Sequence, residues 1–499
     1  MPMAHDLLME PLLSWRDTKR RRGVTTLPGL LARLATGELG DFPRVRTHQF
    51  HPWSMFLTQL AAIALHRAGQ MEPPATESEW RALLLALTGG AHEPWCLVVD
   101  DLSKPAFFQP PVPEGECMQW KALRCPDDLD ILVTSKAHDV KESRVAPIAE
   151  SWVYALTTLQ TMQGYPGRGY NPISRMKGGY GNRPRVGLAP DLAPSTRFRR
   201  DVSVLLSQRP ALLARGFNDH GADLVWVVPW DGRSSLAQGE LAPHFIEICW
   251  RIRCRGTTQV ECAYTTTEAR RCLATIVNGD VGDSWIPIER DGGALTVGPS
   301  GFHYELLAKL LFGDDFEPAA AQVVRVGDDG ALYLLCSALA RGQGKTEGLH
   351  ERLLPVPAPV KRRLGQVDQR AALGRRAVQC IEQAKKMRSK VLFPALKAIS
   401  LGGKTLEDRF DAEVDDVFFQ SLFGSLEQPD EAARLAWERR LAALAKEELA
   451  RAIDRCPLAD AQRFRAISNA QAFFRNGLGK HFPDTLSPTS PQSEEGAQP

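Results

Sequence analysis

The sequence predicts an α+β protein: a large mixed α/β N-terminal domain over 1–360, an antiparallel four-helix bundle over 361–482 and a disordered tail over 483–499. Three observations carry this reading. Short apolar runs divided by Gly, Pro and Asp recur up to residue 360, as strands joined by turns do. Proline punctuates 353–360, which reads as a junction. Beyond it, helical periodicity over about 366–392, 406–425, 430–455 and 459–477 is broken by Pro394, Gly402-Gly403, Pro429 and Pro457.

A chain of 499 residues exceeds what one core supports, and 43% hydrophobic with 24% charged residues is ordinary for a folded, soluble protein. The net charge of +2 conceals local clusters, which carry the information. Ten cysteines are scattered without a C-x-x-C pair; Cys254 and Cys262 come nearest to a ligand pair but fit no common zinc spacing, so reduced, mostly buried thiols are expected. Asp6 and Glu10 stand where a secretory leader would carry cations, and no run approaches the roughly 18 apolar residues of a membrane span. The expectation is a cytoplasmic chain with no membrane partner, no cofactor and no metal.

The first elements are an extended segment over 7–15, a basic turn over 16–23 whose Lys19 to Arg22 suit either phosphate contact or a solvated hairpin, and a helix after Pro28. His48 and His51 have metal-like spacing only in a helix, which Pro52 disfavours, so structural histidines are favoured. Helices follow over 54–68 and 77–88, then a buried aromatic corner at 105–111. A strand over 129–134 leads into the charged loop 135–144, where His138 and Asp139 lack a third catalytic partner and a docking role with Lys141 and Arg144 is the better reading.

After a helix over 148–162 comes the longest single-sign stretch. Residues 164–185 hold six glycines, three tyrosines and five cations, with no acid from Ser151 through Pro190. Interleaved Arg and Tyr on flexible backbone suits phosphate contact and base stacking, which makes Gly164, Tyr165, Gly167, Arg168 and Gly169 candidates for DNA contact. The alternative is a crossover packed on the protein itself. Strands are expected near 224–228, 245–253 and 322–326, with Arg270 and Arg271 either candidate groove or phosphate contacts or, equally, a solvated face.

The last motif lies between apolar runs at 331–339 and 353–360, so that Gly342, Gln343, Gly344 and Lys345 occupy the tip of a hairpin. Glycines let the backbone approach a surface closely, and Gln343 brings both a donor and an acceptor, a combination suited to wedging into a nucleic-acid groove. Gly344-Lys345-Thr346 also resembles the end of a phosphate-binding loop, but Leu339 stands where that loop needs glycine; Gly403-Lys404-Thr405 fails likewise at Ala398. A nucleotide hydrolase using either tripeptide, or a stand-alone nuclease using His138 and Asp139, is therefore the alternative reading.

Together, Glu10-Pro11-Leu12-Leu13, the segment from Asp130 into His138-Asp139-Val140-Lys141, the stretch 164–185, the tip 342–348 and the C-terminal helices resemble the large subunit (CasA family) of the type I-E CRISPR surveillance complex, Cascade. The resemblance spans most of the chain. It implies a non-catalytic subunit that recognises the protospacer-adjacent motif in double-stranded DNA, helps open the duplex into an R-loop and recruits a helicase-nuclease for antiviral defence. Gln343 would be the family's wedge, Gly164 to Gly169 its glycine loop, and His138 to Arg144 the loop reaching the guide RNA and a backbone subunit. Arg270 or Arg271 would replace a minor-groove lysine. The implied partners are the guide ribonucleoprotein with its backbone and small subunits, the target DNA and the helicase-nuclease. The paired C-x-x-C zinc ligands of some members are missing from this sequence.

Overall fold

The computed structural model describes residues 3–131, 146–273, 277–342, 345–399, 404–456 and 458–486, without the side chains of 341, 342, 345, 404–407, 460 and 461. The chain forms two compact units, Met1–Phe302 with Asp314–Lys361, and His303–Gly313 with Arg362–Pro499. The expected seam near 360 thus misses one element. The helix Tyr304–Phe312 belongs with the C-terminal helices, where the close approach of Gly374 to its Phe312 carbonyl leaves no room for a side chain.

The first unit is mixed α/β, with strands in small sheets of two or three. Its core is built on the helix Thr47–Arg67, buried along most of its circumference against the helices Ala149–Met162 and Pro194–Ala214. Trp53 meets Tyr154 edge to face at 5.0 Å, and Phe56 packs on Phe107 and Phe108 of the aromatic corner. Burial of this face overrides the local cost of Pro52, and the helix begins at Thr47 rather than after the proline. Of the expected strands, 322–326 is not one, 224–228 yields only Ala222–Leu224 before a 3-10 turn, and 245–253 divides between Leu241–Ile246 and Arg251–Arg255.

Two polar groups pin the segments around the glycine stretch. The buried Gln160 amide donates to the carbonyls of Phe108 and Trp250 at 3.0 Å each and accepts from the amides of Cys249 and Trp250. Asp201 accepts from Arg185 at 2.8 Å and from the Trp285 indole at 2.9 Å, pinning the strand Arg185–Ala189. Cys254 and Cys262, directly opposed in the Arg251–Arg255/Glu261–Thr265 ladder with Cα atoms 4.1 Å apart, are joined as a disulfide. The expectation of reduced thiols fails for this pair because sequence spacing conceals cross-strand opposition.

The second unit is helical. Val367–Lys386 continues through a π-helical segment, Met387–Leu392, into Phe393–Ala398; Lys404–Gly424, Asp430–Asp454 and Asp460–His481 follow. Pro394 does not break the first span, because the wider π turn just before it accommodates a residue without an N–H donor. Trp437, Leu441, Leu444 and Leu449 point inward, and the Trp437 indole donates to the Cys380 carbonyl at 3.0 Å. The tail from 487 lies outside the described residues; 483–486 is a 3-10 turn.

His51 is 2% exposed with both ring nitrogens unpaired, and burial, with the charges of Arg185 and Arg183, pushes its pKa down to about 3. The unfolded chain therefore binds a proton at His51 below pH about 6.5 that the folded chain refuses, so stability falls as pH drops from there toward 3. Replacing His51→Leu should flatten the acid limb by about 1.4 kcal/mol per pH unit between pH 6 and 4. Urea unfolding across that range checks it; parallel wild-type and variant curves would contradict it.

Candidate nucleic-acid interface

The hairpin is longer than its sequence suggests. Leu332–Gly342 and Lys345–Val356 pair from Leu332↔Val356 to Gly342↔Lys345, with a bulge after Ala340. Only 343 and 344 separate the strands, so most of 345–352, expected as loop, is ladder. Leu339 and Ala340 are buried, Thr346 is half-buried, His350 lies against Gly301, and along the second strand Glu347, Glu351, Leu353 and Pro355 are exposed. Gln343 and Gly344 lie outside the described residues, as do the side chains of Arg341 and Lys345. Lys345 and Thr346 open a strand, which removes the helix N-terminus on which a phosphate-binding loop depends.

Tyr333 to Ser337 of the first hairpin strand pair antiparallel with Arg185–Ala189, the strand into which the glycine stretch runs. Residues 338–342 therefore extend past the end at which 164–184 arrives. Near the tip, the Thr346 hydroxyl donates to the Ile131 carbonyl at 2.7 Å. Ile131 is the last described residue before 132–145, so hairpin, glycine stretch and loop root converge.

That root is clamped at both ends. Asp130 takes Arg46 at 3.0 Å and His48 at 2.8 Å; beyond the loop, the buried Glu150 accepts from Ser14 and from the Tyr154 hydroxyl at 2.8 Å. His48 is thus spent on a carboxylate. The expected strand over 129–134 is a turn as far as 131, and His138, Asp139, Lys141 and Arg144 lie outside the described residues.

The glycine stretch divides in two. Arg175 pairs with Glu247 at 2.7 Å and Asp283 at 2.9 Å, Arg183 reaches the same Asp283 at 2.7 Å, and Arg185 holds Asp201. Burial pushes the Asp283 carboxyl up, but Arg183 and Arg175 hold it below its ordinary value, so the cluster stays charged. These three arginines cannot serve a ligand; for them the self-packed crossover holds. The other half stays accessible. Tyr165 and Tyr180 are 37% and 49% exposed and meet edge to face at 6.2 Å, and Arg168 is exposed without an ion pair among the described residues. Gly164 is buried, with only its backbone at hand. Gly169, at φ +86°, sits where a Cβ would meet Thr266 at 2.8 Å, and its carbonyl accepts from the Thr267 amide at 2.8 Å.

This contact joins the glycine loop to the segment carrying Arg270 and Arg271, whose fates differ. Arg270 is half-buried with no ion pair among the described residues, its pKa pushed down by burial. Arg271 is 2% exposed, stacks over Trp230 and donates to the carbonyls of Val228 and Pro229. The expectation that Arg271 touches DNA is therefore corrected: its guanidinium is turned into the protein, where one nitrogen donates to two carbonyls and Nε is buried without a hydrogen-bond partner among the described residues. Sequence reading also missed the stack of Tyr170 on Trp250 at 4.6 Å and of Trp250 on Tyr264 at 5.2 Å, which backs the loop. Trp250 and Tyr264, the two aromatic residues of 250–264, were the available signal. Among the described residues no cluster of His, Cys, Asp and Glu could hold a metal ion, and no helix is long and apolar enough to cross a membrane.

No family model and no curated protein matches the sequence. Solved structures do match. CRISPR-associated protein Cse1 from Acidimicrobium ferrooxidans is 15% identical at TM-score 0.66, covering 96% of this chain and 98% of that one. Thermus thermophilus CasA (Cse1) is 13% identical at 0.66 over 96% and 100%, and Thermobifida fusca Cse1 is 13% identical at 0.63 over 96% and 98%. The resemblance to the CasA family is thus matched in three dimensions across nearly the whole chain: it has the Cse1 fold.

The two arginine environments predict opposite phenotypes. Arg271→Ala should destabilise the fold by about 1–3 kcal/mol, through lost packing and hydrogen bonds, whereas Arg168→Ala should stay within about 0.5 kcal/mol of wild type. Denaturant midpoints decide; equal losses would contradict the assignment.

Proposed function

We propose that this chain is the large, non-catalytic subunit of a type I-E CRISPR RNA-guided surveillance complex, inspecting the protospacer-adjacent motif and starting duplex opening. The observation supporting this is the convergence of three segments distant in sequence: the hairpin end, the glycine loop through the strand Arg185–Ala189, and the root of 132–145 through Thr346. In such complexes base pairing with the guide reads sequence, and protein need inspect only a short duplex motif.

On this reading Gly342 to Lys345 form the wedge, with Gln343 entering the duplex next to the motif. Gly167 and Gly169, with the Gly164 backbone, approach the minor groove, whose degenerate pattern makes the subunit tolerant of several motifs. Tyr165 and Arg168 contact sugar and phosphate, and Arg270 supplies the neighbouring cation. His138, Asp139, Lys141 and Arg144 dock on guide RNA and a backbone subunit. The C-terminal helices act as an antiparallel four-helix bundle against the small subunits and displaced strand, and the subunit offers the helicase-nuclease its platform.

Unstacking a base step costs roughly a few kcal/mol, which an inserted side chain partly offsets. Gln343→Ala in the assembled complex should slow target opening about tenfold, equivalent to about 1.4 kcal/mol, with assembly unchanged. Fluorescence of a 2-aminopurine beside the motif follows the opening; an unchanged rate at limiting complex would contradict the wedge.

A further inference from the structure

The sequence's longest run of consecutive cations, Lys19-Arg20-Arg21-Arg22, belongs neither to the wedge nor to the glycine loop. It caps the hairpin formed by Leu13–Asp17 and Arg22–Thr25, and all four side chains are exposed. The turn is rigid. Asp17 is 5% exposed and accepts from the Arg21 amide at 2.7 Å and the Arg21 side chain at 2.6 Å, while its own amide donates to the Arg21 carbonyl at 2.9 Å. Burial pushes the Asp17 carboxyl up, but the Arg21 hydrogen bonds hold it below its ordinary value, so the anchor stays ionised. Arg21 is spent on this anchor; Lys19, Arg20 and Arg22 have no ion pair among the described residues.

Arg20 also sits at φ +66°, a left-handed position that glycine or asparagine fills at lower cost. Solubility alone would be met by cations in relaxed backbone, or by lysine on an edge strand. An arginine kept at a strained position, on a turn locked by a buried carboxylate, beside two more unpaired cations, is a preorganised cationic tip. Its strand carries Ser14, bonded to Glu150 just past 132–145, and at about 3.4 Å per residue the strand's end at Asp17, where the turn begins, stands about 10 Å along the chain from Ser14.

We infer that the Lys19–Arg22 turn is a further DNA contact, gripping the phosphodiester backbone of duplex DNA without reading its sequence. Duplex DNA carries one charge per about 1.7 Å of axis, a density that suits three free cations on one turn. The inference shares with the proposed function only its ligand, since the turn needs neither the wedge nor the glycine loop.

The test uses the full chain, a motif-free DNA duplex and an RNA hairpin, with anisotropy read across a salt series. Arg20→Gly relieves the backbone, so it should raise the thermal midpoint while weakening duplex binding severalfold. The triple variant Lys19→Gln, Arg20→Gly, Arg22→Gln should lower the slope of log K against log salt by about 2–3, at about 0.9 for each phosphate no longer neutralised. Arg20→Gly that stabilises without changing binding, or that destabilises, overturns the inference; so does a wild type that fails to bind duplex at low salt, or a weakening confined to the RNA hairpin. Gln343→Ala, run in parallel, should leave motif-free binding unchanged. A wedge that fails in the opening assay would leave this result standing, and the converse also holds.

Discussion

Five residues of backbone pairing, Tyr333 to Ser337 against Arg185–Ala189, are the constraint on which the candidate interface depends. A two-stranded ribbon alone is marginal in water, and the third strand gives it a buried base. The same strand terminates the glycine stretch, so one ladder fixes two segments that are remote in sequence. Asp201, accepting from both Arg185 and Trp285, secures that strand from the helix Pro194–Ala214.

The buried arginines explain how a glycine-rich segment becomes a platform. Arg175 and Arg183 converge on Asp283, and Arg175 also holds Glu247, whose second oxygen accepts from the Ser174 amide and hydroxyl at 2.8 Å each. Removing one member of such a cluster leaves an uncompensated charge in a low dielectric, typically a loss of about 3–5 kcal/mol. With this half immobilised, the half bearing Tyr165, Arg168 and Tyr180 projects from a fixed root. The clamps at Asp130 and Glu150 do the same for the two ends of 132–145.

Local signals were readable in the sequence, and long-range pairings were not. Apolar runs and clustered glycines announced the hairpin, and the helices expected from periodicity over 54–68, 77–88 and 148–162 are found at 47–67, 77–87 and 149–162, the first starting seven residues early. The acids that neutralise Arg175 and Arg183 lie 72 and 100 positions further along the chain, so an acid-free window looked more ligand-ready than it is. Pro52 and Pro394 were read by a local rule that core burial and a π turn override. Arg270 and Arg271, adjacent in sequence, differ only in which way the fold turns them, and no spacing distinguishes the two.

The central claim is that the hairpin end enters duplex DNA, and a photo-crosslinking side chain at position 343 in the assembled complex tests it most directly. The account predicts covalent adducts with nucleotides at the edge of the protospacer-adjacent motif, dependent on the motif being present. Adducts only with protein, or with DNA irrespective of the motif, would contradict it.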